Sequence, residues 1–192
     1  MTYSHLNDFP ADVRERAARI RLAAFDVDGT LTDGQLLIGA GGSVMSAFHV
    51  HDGLGLKLLE KHGVTVALIS SRPGKVVTLR ARALGLRHAY VGVKNKLACL
   101  DAIGTRLGIP RDEVAFMGDD LTDLRSLAAV GLAVAPANAH PWVGERVHWR
   151  TRLAGGAGAA RELCDLILAA RGNAEDILKE YTEVQAKDTA DA

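Results

Sequence analysis

Two aspartates separated by a single residue follow a short apolar run early in the chain. The run is Leu22–Phe25, and the carboxylates are those of Asp26 and Asp28. A continuous apolar run is typical of a buried parallel strand, and ligands bind at the edge of a sheet where such strands end. Two carboxylates so close repel each other unless a cation lies between them or one of them holds a proton. The pair therefore indicates chemistry rather than a purely structural turn.

Polar residues also follow three later apolar runs, so four predicted strands end in side chains able to do chemistry. The further groups are Ser70, Ser71 and Arg72; Lys94, Asn95 and Lys96; and Asp119, Asp120 and, one helical turn on, Asp123. In a parallel sheet these ends lie on one edge, so the side chains can converge. Carboxylates with incomplete protein coordination suit Mg²⁺, whereas a hydroxyl, helix-start amides and a lysine suit a phosphate. A carboxylate nucleophile beside a metal suits phosphoryl transfer through an aspartyl phosphate.

Strands and helices alternate along the chain to position these groups. The predicted strands are 22–25, 64–69, 88–91, 114–117 and 132–134, and the predicted helices are 10–21, 52–63, 73–84, 96–107, 121–129 and 157–170. Segments 35–38 and 44–50 flank a glycine-rich turn, which predicts a small β-hairpin insertion. The order predicts an α/β fold, a Rossmann-like parallel sheet with helices on both faces.

Length and composition limit the class of protein. The 192 residues and 48% hydrophobic content suit one domain with a sizeable core. We predict a single domain over residues 1–171 and a polar C-terminal tail over 172–192, helical or loose. Lysine plus arginine equals aspartate plus glutamate, at 23 each, which argues against nucleic acid or a membrane surface as a partner. No apolar stretch approaches the ~20 residues that span a bilayer, and the N-terminus lacks an apolar signal-peptide core.

Two further features carry weaker signals. Cys99 and Cys164 lie far apart without Cys-x-x-Cys spacing, which favours reduced thiols and a cytoplasmic protein. The glycine-rich run 155–158 lacks the Lys-Ser/Thr of a phosphate-binding P-loop, so we predict a flexible turn or a substrate-facing loop. His49 and His51 share a face if they lie on a strand, and that spacing is compatible with a metal pair or with simple packing near the site.

The four polar groups, in this order, resemble the four motifs of the haloacid dehalogenase superfamily over about residues 22–168. Longer strings are similar to the 3-deoxy-D-manno-octulosonate 8-phosphate phosphatase family. These strings are 25–34, 47–55, 118–123, 139–141 and 155–165. The resemblance implies a capless phosphatase domain that requires Mg²⁺.

The resemblance also implies the central roles in the reaction. Asp26 is then the nucleophile that attacks phosphorus. Asp28 protonates the leaving sugar oxygen and afterwards activates the water that cleaves the aspartyl phosphate. Asp26, the backbone carbonyl of Asp28, and Asp119 are the implied ligands of Mg²⁺. Charge neutralisation and positioning supply most of the catalysis in phosphoryl transfer.

Supporting roles follow from the same resemblance. Lys96 neutralises charge on the nucleophile and the phosphate, and Ser70 donates a hydrogen bond to a phosphate oxygen. Asp123 holds Lys96 or a metal-bound water, and Asp120 is either a supporting residue or a helix cap.

The segment 70–72 departs from the family pattern. Members usually have Thr-Gly-Arg where this chain has Ser70, Ser71 and Arg72. Serine keeps the hydroxyl, so phosphate binding is expected to survive, whereas Ser71 in place of glycine can either narrow the substrate pocket or change the local backbone. Arg72 either binds the carboxylate of the substrate, which an arginine fork suits, or is solvated.

The motifs leave no room for a cap domain over the site. The intervals before Ser70 and before Lys96 hold a hairpin and a few elements, whereas an independent domain takes ~50 residues or more. We therefore expect a neighbouring subunit to close the site, with the hairpin as the contact. The resemblance implies a homotetramer, and the tail is either loose or folded over an adjacent site.

The resulting functional hypothesis is a cytoplasmic Mg²⁺-dependent phosphatase for a small phosphorylated sugar acid. By resemblance the substrate is 3-deoxy-D-manno-octulosonate 8-phosphate, a precursor in lipopolysaccharide synthesis. One alternative is a phosphatase of another sugar acid, such as a nonulosonate 9-phosphate. Another is a non-catalytic relative that binds a partner protein, although such a relative need not retain Asp26, Asp28, Lys96 and Asp119 together.

Overall fold

A computed structural model describes residues 8–183 of the chain. Within this range the strands are β1 Leu22–Phe25, β2 Leu37–Ile38, β3 Val44–Met45, β4 Thr65–Ile69, β5 His88–Tyr90, β6 Val114–Met117, β7 Leu132–Ala135 and β8 Trp149–Arg150. The α-helices are α1 Ala11–Ala18, α2 Val50–Lys61, α3 Lys75–Leu84, α4 Lys96–Leu107, α5 Leu124–Leu127, α6 Pro141–Gly144, α7 Ala159–Ala170 and α8 Ala174–Thr182. Two 3₁₀ turns cover Arg111–Glu113 and Leu121–Asp123.

Six of the strands form one parallel sheet in the order β5-β4-β1-β6-β7-β8. Strand β1 lies between β4 and β6, so the first and fourth motifs are on neighbouring strands. Strands β2 and β3 form a separate antiparallel hairpin. The predicted fold class, an α/β Rossmann-like parallel sheet with a small hairpin, is confirmed.

The sheet is buried because its strands carry apolar side chains on both faces, as expected for parallel strands covered by helices. One face holds Ala23 and Phe25 of β1 in a core shared with residues of α1, α2, α3 and α7. The other face holds Leu22 and Ala24 in a core shared with residues of α4 and α5. Burial on both faces fixes the position of β1, and therefore of the residues that follow it.

The hairpin is shorter than predicted. Strand β3 ends at Met45, and His49 precedes α2 as its N-cap residue. The prediction of a strand over 44–50, with His49 and His51 on one strand face, is therefore wrong beyond Met45. Among residues 8–183 no third strand pairs with the exposed hairpin, whereas the apolar side chains of α2 pack against the sheet. The two histidine rings pack edge to face with centroids 4.9 Å apart.

Two elements after β7 have no counterpart among the predictions. Helix α6 is a single turn that begins at Pro141, with the His140 ring accepting a hydrogen bond from the Trp142 amide. Strand β8 has two residues and pairs with the end of β7. Neither is long enough to show hydrophobic periodicity, which is the main signal of secondary structure in a sequence.

The carboxyl edge of the sheet is open in the described part of the chain. Between β1 and β4 that part contains only β2, β3 and α2, and between β4 and β5 only α3. Helix α8 lies in the segment predicted as a polar tail, where Ile177 packs against the core and Glu180 pairs with Lys61. Residues 184–192 of the predicted tail lie outside the described range, and whether the tail is loose or covers an adjacent site stays open.

Two sequence-based expectations concern the cysteines and membrane association. Both cysteines are free thiols; Cys164 is buried and Cys99 is partly exposed. None of the helices within residues 8–183 combines the length and the apolar character needed to cross a bilayer.

Candidate active site

The predicted site residues lie at the carboxyl ends of neighbouring strands. Asp26 follows β1 directly, and its amide continues the sheet by donating to the Met117 carbonyl at 2.8 Å. Ser70 follows β4 in the same way and donates its amide to the Tyr90 carbonyl at 2.9 Å. Because the sheet itself fixes these backbones, the side chains are held where ligands bind in open α/β folds.

The turn after Asp28 is closed by hydrogen bonds within the first motif. The Val27 carbonyl accepts from the amides of Leu31 and Thr32 at 2.9 and 3.0 Å. Gly29 has φ +91°, and a Cβ atom there would lie 2.1 Å from a carboxylate oxygen of Asp119. Glycine is therefore required both by the backbone conformation and by the close approach of Asp119.

A buried ion-pair network lies beneath this turn. Lys96, the first residue of α4, donates to Asp26 Oδ1 at 2.7 Å and to Asp123 Oδ1 at 2.6 Å. Lys96 is 4% exposed, Asp26 6% and Asp123 0%. The other oxygen of Asp123 accepts from the amides of Asp119 and Asp120 at 3.1 and 3.3 Å. Asp123 thus links Lys96 to the turn that carries Asp119.

The two remaining acidic positions of the fourth motif differ in their surroundings. Asp119 is half-buried and accepts a hydrogen bond from Thr30 Oγ1 at 3.1 Å. Asp120 is exposed and caps the following 3₁₀ turn by accepting from the Leu121 amide at 2.7 Å. Of the two interpretations that the sequence left open for Asp120, the structure favours the cap.

Burial and crowding disfavour the ionised forms of two carboxyl groups. Burial first, and then the negative charge of Asp123, raise the pKa of Asp26 to about 7, although Lys96 opposes the shift. The same two causes raise the pKa of Asp119 to about 6. Burial alone would lower the pKa of Lys96, but Asp26 and Asp123 outweigh it and raise that pKa. The lysine is therefore charged, and a further cation would stabilise the carboxylates.

The acidic cluster fits a hard divalent cation. Asp26, Asp119 and Asp123 each offer an oxygen, and these atoms lie within 4.8 Å of one another. Three carboxylates with one ammonium leave two negative charges when all are ionised, which a divalent ion balances. Asp123 already uses both oxygens, so Asp26 and Asp119 are the available carboxylates. The Asp28 side chain is outside this group, and its backbone carbonyl as a ligand stays a prediction.

We expect Mg²⁺ to raise the melting temperature of the protein more at about pH 8 than at about pH 5.5. Burial raises the pKa of Asp26 to about 7 and that of Asp119 to about 6, so the metal-free protein loses stability as pH rises towards these values. At the lower pH protons compete with the ion, whereas at the higher pH the ion binds two carboxylates that repel each other. Scanning calorimetry with Mg²⁺ and with EDTA measures the shift; an equal shift at both pH values would contradict this expectation.

Asp28 faces a separate set of partners beside the buried network. Ser70 Oγ donates to Asp28 Oδ2 at 3.2 Å, and Arg72 Nε lies 3.5 Å from the same oxygen. Ser70 is fully buried, whereas about a quarter of the Asp28 side chain is exposed. Asp26 and Asp28 therefore differ in environment, with Asp28 nearer to solvent.

A cleft of about 500 Å³ opens beside Asp28, between the hairpin and the start of α3. The side chains that line it include Val27, Asp28, Ser43, Ser46, Arg72 and Lys75. Ser71 is exposed and does not belong to this lining, so its predicted narrowing of the pocket has no support in the geometry. Lys75 was missed in the sequence, where its only signal is a second positive charge three residues after Arg72.

The chain is similar to known hydrolases in sequence and structure. Residues 92–163 match the family model of haloacid dehalogenase-like hydrolases. The 3-deoxy-D-manno-octulosonate 8-phosphate phosphatase KdsC of Escherichia coli (strain B / BL21-DE3) is 43% identical over 166 residues, which cover 86% of this chain and 88% of that protein.

Two solved structures show the same likeness. A hypothetical protein from Xanthomonas campestris has a TM-score of 0.92 at 54% identity, covering 95% of this chain and 100% of its own. The 3-deoxy-D-manno-octulosonate 8-phosphate phosphatase from Moraxella catarrhalis, solved in complex with magnesium ion, phosphate ion and KDO molecule, has a TM-score of 0.88 at 35% identity. That match covers 91% of this chain and 100% of the Moraxella chain.

Proposed function

Because the chain belongs to the 3-deoxy-D-manno-octulosonate 8-phosphate phosphatase family of haloacid dehalogenase-like hydrolases, we propose that it hydrolyses this sugar-acid phosphate with Mg²⁺ as cofactor. The observation that carries the proposal is the buried contact of Lys96 with Asp26 and Asp123 beside Asp119. Such a cluster of unlike charges at the ligand-binding edge of a sheet costs folding free energy. The binding of a phosphoryl group and a cation at this place explains why the chain carries so costly a cluster.

The first step transfers the phosphoryl group to Asp26. A carboxylate oxygen of Asp26 forms a bond to phosphorus while the bond from phosphorus to the sugar oxygen breaks. Asp28 gives its proton to that oxygen, which therefore leaves as a hydroxyl group of the sugar acid rather than as an alkoxide. Mg²⁺ bound by Asp26, Asp119 and the Asp28 carbonyl would neutralise charge on the transferred phosphoryl group.

The second step returns the enzyme to its starting state. Asp28, now ionised, takes a proton from a water molecule, whose oxygen bonds to phosphorus as the bond to Asp26 breaks. Phosphate is released and both aspartates are free again. The Ser70 hydroxyl, which donates to Asp28 in the structure, would turn to donate to a phosphate oxygen, and Lys96 offsets the charge on Asp26. Because Asp123 also holds Lys96 at 2.6 Å, the ammonium stays in place through both steps.

The cleft beside Asp28 supports a sugar acid as the substrate class. Arg72 and Lys75 bring two positive charges to its wall, and a guanidinium suits the planar carboxylate that a sugar acid carries. Ser43 and Ser46 of the hairpin region add hydroxyl groups that can bind sugar hydroxyls. Asp28 is the aspartate of the pair that lines this cleft, which is where the leaving oxygen would lie.

A panel of sugar phosphates tests the proposal. We expect kcat/KM for 3-deoxy-D-manno-octulosonate 8-phosphate to exceed that for hexose phosphates by about tenfold or more, and EDTA to remove the activity. A clear preference for a nonulosonate 9-phosphate would assign the same machinery to that substrate instead. No metal-dependent turnover of any phosphate ester would favour a non-catalytic relative.

Asp28→Asn is expected to slow hydrolysis of the sugar phosphate at least about tenfold more than that of p-nitrophenyl phosphate. An alkoxide leaving group needs a proton, whereas a nitrophenolate leaves readily without one. Steady-state kinetics on both substrates, in wild type and variant, measures the difference. Equal losses on the two substrates would count against Asp28 as the acid.

The hairpin is proposed as the contact with a second copy of the chain in a homotetramer. Leu37, Ile38 and Met45 are 54%, 67% and 63% exposed, and apolar side chains clustered at the rim of an open site are typical of an interface. Light scattering is expected to give a tetrameric mass, and Ile38→Asp to lower it. A monomeric wild type with full activity would refute this.

Cytoplasmic localisation and the division into a domain over 1–171 and a tail stay predictions.

A further inference from the structure

Two of the family-like strings in the sequence, 47–55 and 155–165, take no part in the chemistry above, and the structure brings them together. Asp52, in the first turn of α2, is 2% exposed and lies at the N-terminus of α7. Its Oδ1 accepts a hydrogen bond from the Arg161 amide at 2.8 Å. Burial raises the pKa of this carboxyl group, while the Arg161 amide opposes the shift.

Helix α7 cannot cap itself. The residue before it, Gly158, has φ +109° and carries no side chain. A capping side chain normally accepts from the amide of the second or third helical residue, and Arg161 is the third residue of α7. Asp52 therefore occupies, from another helix, the place of the missing N-cap acceptor. Its negative charge also suits the positive end of the helix dipole.

Helices α2 and α7 pack closely against each other near this hydrogen bond. A Cβ atom added to Gly55 of α2 would lie 2.9 Å from Arg161 Cδ and 3.0 Å from Cys164 Cβ. The N-terminal halves of α2 and α7 are therefore in direct contact, so the segment of α2 that carries Asp52 lies against α7.

The loop that leads into α7 lies directly against the turn formed by residues 28–33, which we call the catalytic turn. The Gly156 amide donates to the Thr30 carbonyl at 3.1 Å. A Cβ atom on Gly155 would lie 1.8 Å from the Gly29 carbonyl oxygen. Gly29 and Thr30 in turn contact Asp119, through the close approach of its carboxylate and the 3.1 Å hydrogen bond from Thr30 Oγ1. A continuous series of contacting residues thus connects Asp52 to the carboxylate of Asp119.

We propose that Asp52 is a positioning residue for the catalytic turn, which it holds against Asp119 by capping α7 and so fixing the loop 155–158. Its effect on catalysis rests on the proposed function, whereas its effect on the turn does not. Asp52 touches neither substrate nor reacting atoms; it acts through backbone contacts at Arg161, Gly156 and Thr30.

Hydrogen–deuterium exchange and kinetics on Asp52→Ala test this proposal. We expect faster exchange both in peptides covering 155–162 and in those covering 28–33, which lie far from Asp52 in sequence. We also expect kcat to fall about tenfold, since small displacements of catalytic groups have effects of this order or larger. Mg²⁺ affinity, from the concentration dependence of the melting temperature, should weaken in the same variant. Asp52→Asn keeps an acceptor oxygen and should restore most of all three properties.

Leu86→Ala is the matched control. Leu86 is buried and precedes the edge strand β5, so its truncation removes core packing while leaving the hydrogen bond between Asp52 and the Arg161 amide in place. This variant should keep the exchange of 28–33 and the kcat of wild type. The same losses in Leu86→Ala as in Asp52→Ala would overturn the proposal, as would faster exchange in Asp52→Ala limited to 158–164 with kcat unchanged.

Wild-type protein supplies a readout that does not depend on the variant folding. Coupling between sites is reciprocal, so Mg²⁺ with orthophosphate should slow exchange in 155–162 as well as in 28–33. Slower exchange in 28–33 alone would overturn the proposal even if Asp52→Ala does not fold. If wild type hydrolyses no phosphate ester, the proposed function fails, while the exchange of the two segments in Asp52→Ala still decides whether Asp52 positions the turn.

Discussion

Asp26→Asn is expected to lower kcat by about 10⁴-fold or more, because it replaces the carboxylate that forms the bond to phosphorus with a neutral amide. The amide has the shape of the carboxylate but is a poor nucleophile. Burial raises the pKa of Asp26 to about 7, so a neutral group is tolerated there and the variant should fold. Loss of turnover with an unchanged circular dichroism spectrum would therefore report on chemistry and not on folding.

Asp33→Asn is the matched control for this variant. Asp33 is an exposed aspartate of the same loop, whose side chain accepts from the Gln35 amide. Its substitution should leave kcat within about twofold of wild type. Comparable turnover by Asp26→Asn and wild type would rule out Asp26 as the nucleophile.

Lys96→Met is expected to reduce the free energy of unfolding by about 3–5 kcal/mol at a pH near 8, in metal-free protein. The ammonium is the partner of two buried carboxylates at 2.7 and 2.6 Å, and removing it leaves both without a cation. The methionine keeps much of the volume, so a cavity contributes little. Activity should be lost as well, because nothing then offsets the charge on Asp26 and the phosphoryl group.

The destabilisation should depend on pH in a defined direction. The pKa of Asp26 is about 7 even with the lysine present, and it rises further without it. Below that value the carboxyl group is neutral, so the loss should shrink at about pH 5.5. Urea denaturation at both pH values measures this loss in the free energy of unfolding. The control is Lys57→Met, because Lys57 is an exposed lysine of α2. A loss that is equal in the two variants, or independent of pH, would contradict the account of the network.

Much of the fold and of the site could be predicted because the strands are buried on both faces. The bounds of β1, β6 and α4 are those predicted, since an unbroken apolar run ends abruptly at Asp26 and at Gly118, and Asn95 caps α4. Parallel strands then place their carboxyl ends together without further information. The convergence of Asp26, Ser70 and Asp119 follows from that rule alone.

Other features depend on contacts that no local pattern encodes. Asp52 and the Arg161 amide are 109 residues apart, and neither position shows a capping motif in the sequence. Strand β3 ends at Met45 because, in the described part of the chain, no third strand pairs with the exposed hairpin, and a pattern of alternating residues cannot reveal that. Thr30 belongs to the first motif, but the hydrogen bond from its hydroxyl to Asp119 depends on the distance between the residues that follow β1 and those that follow β6.

The stereochemical course at phosphorus tests the central claim most directly. Each in-line displacement inverts phosphorus, so attack by Asp26 followed by attack by water gives net retention. The measurement is hydrolysis, by wild type with Mg²⁺, of an ester whose phosphoryl group is made chiral with oxygen isotopes and sulfur. We predict net retention in the released thiophosphate. Net inversion would contradict the account, because water would then attack the substrate directly and Asp26 would form no covalent intermediate.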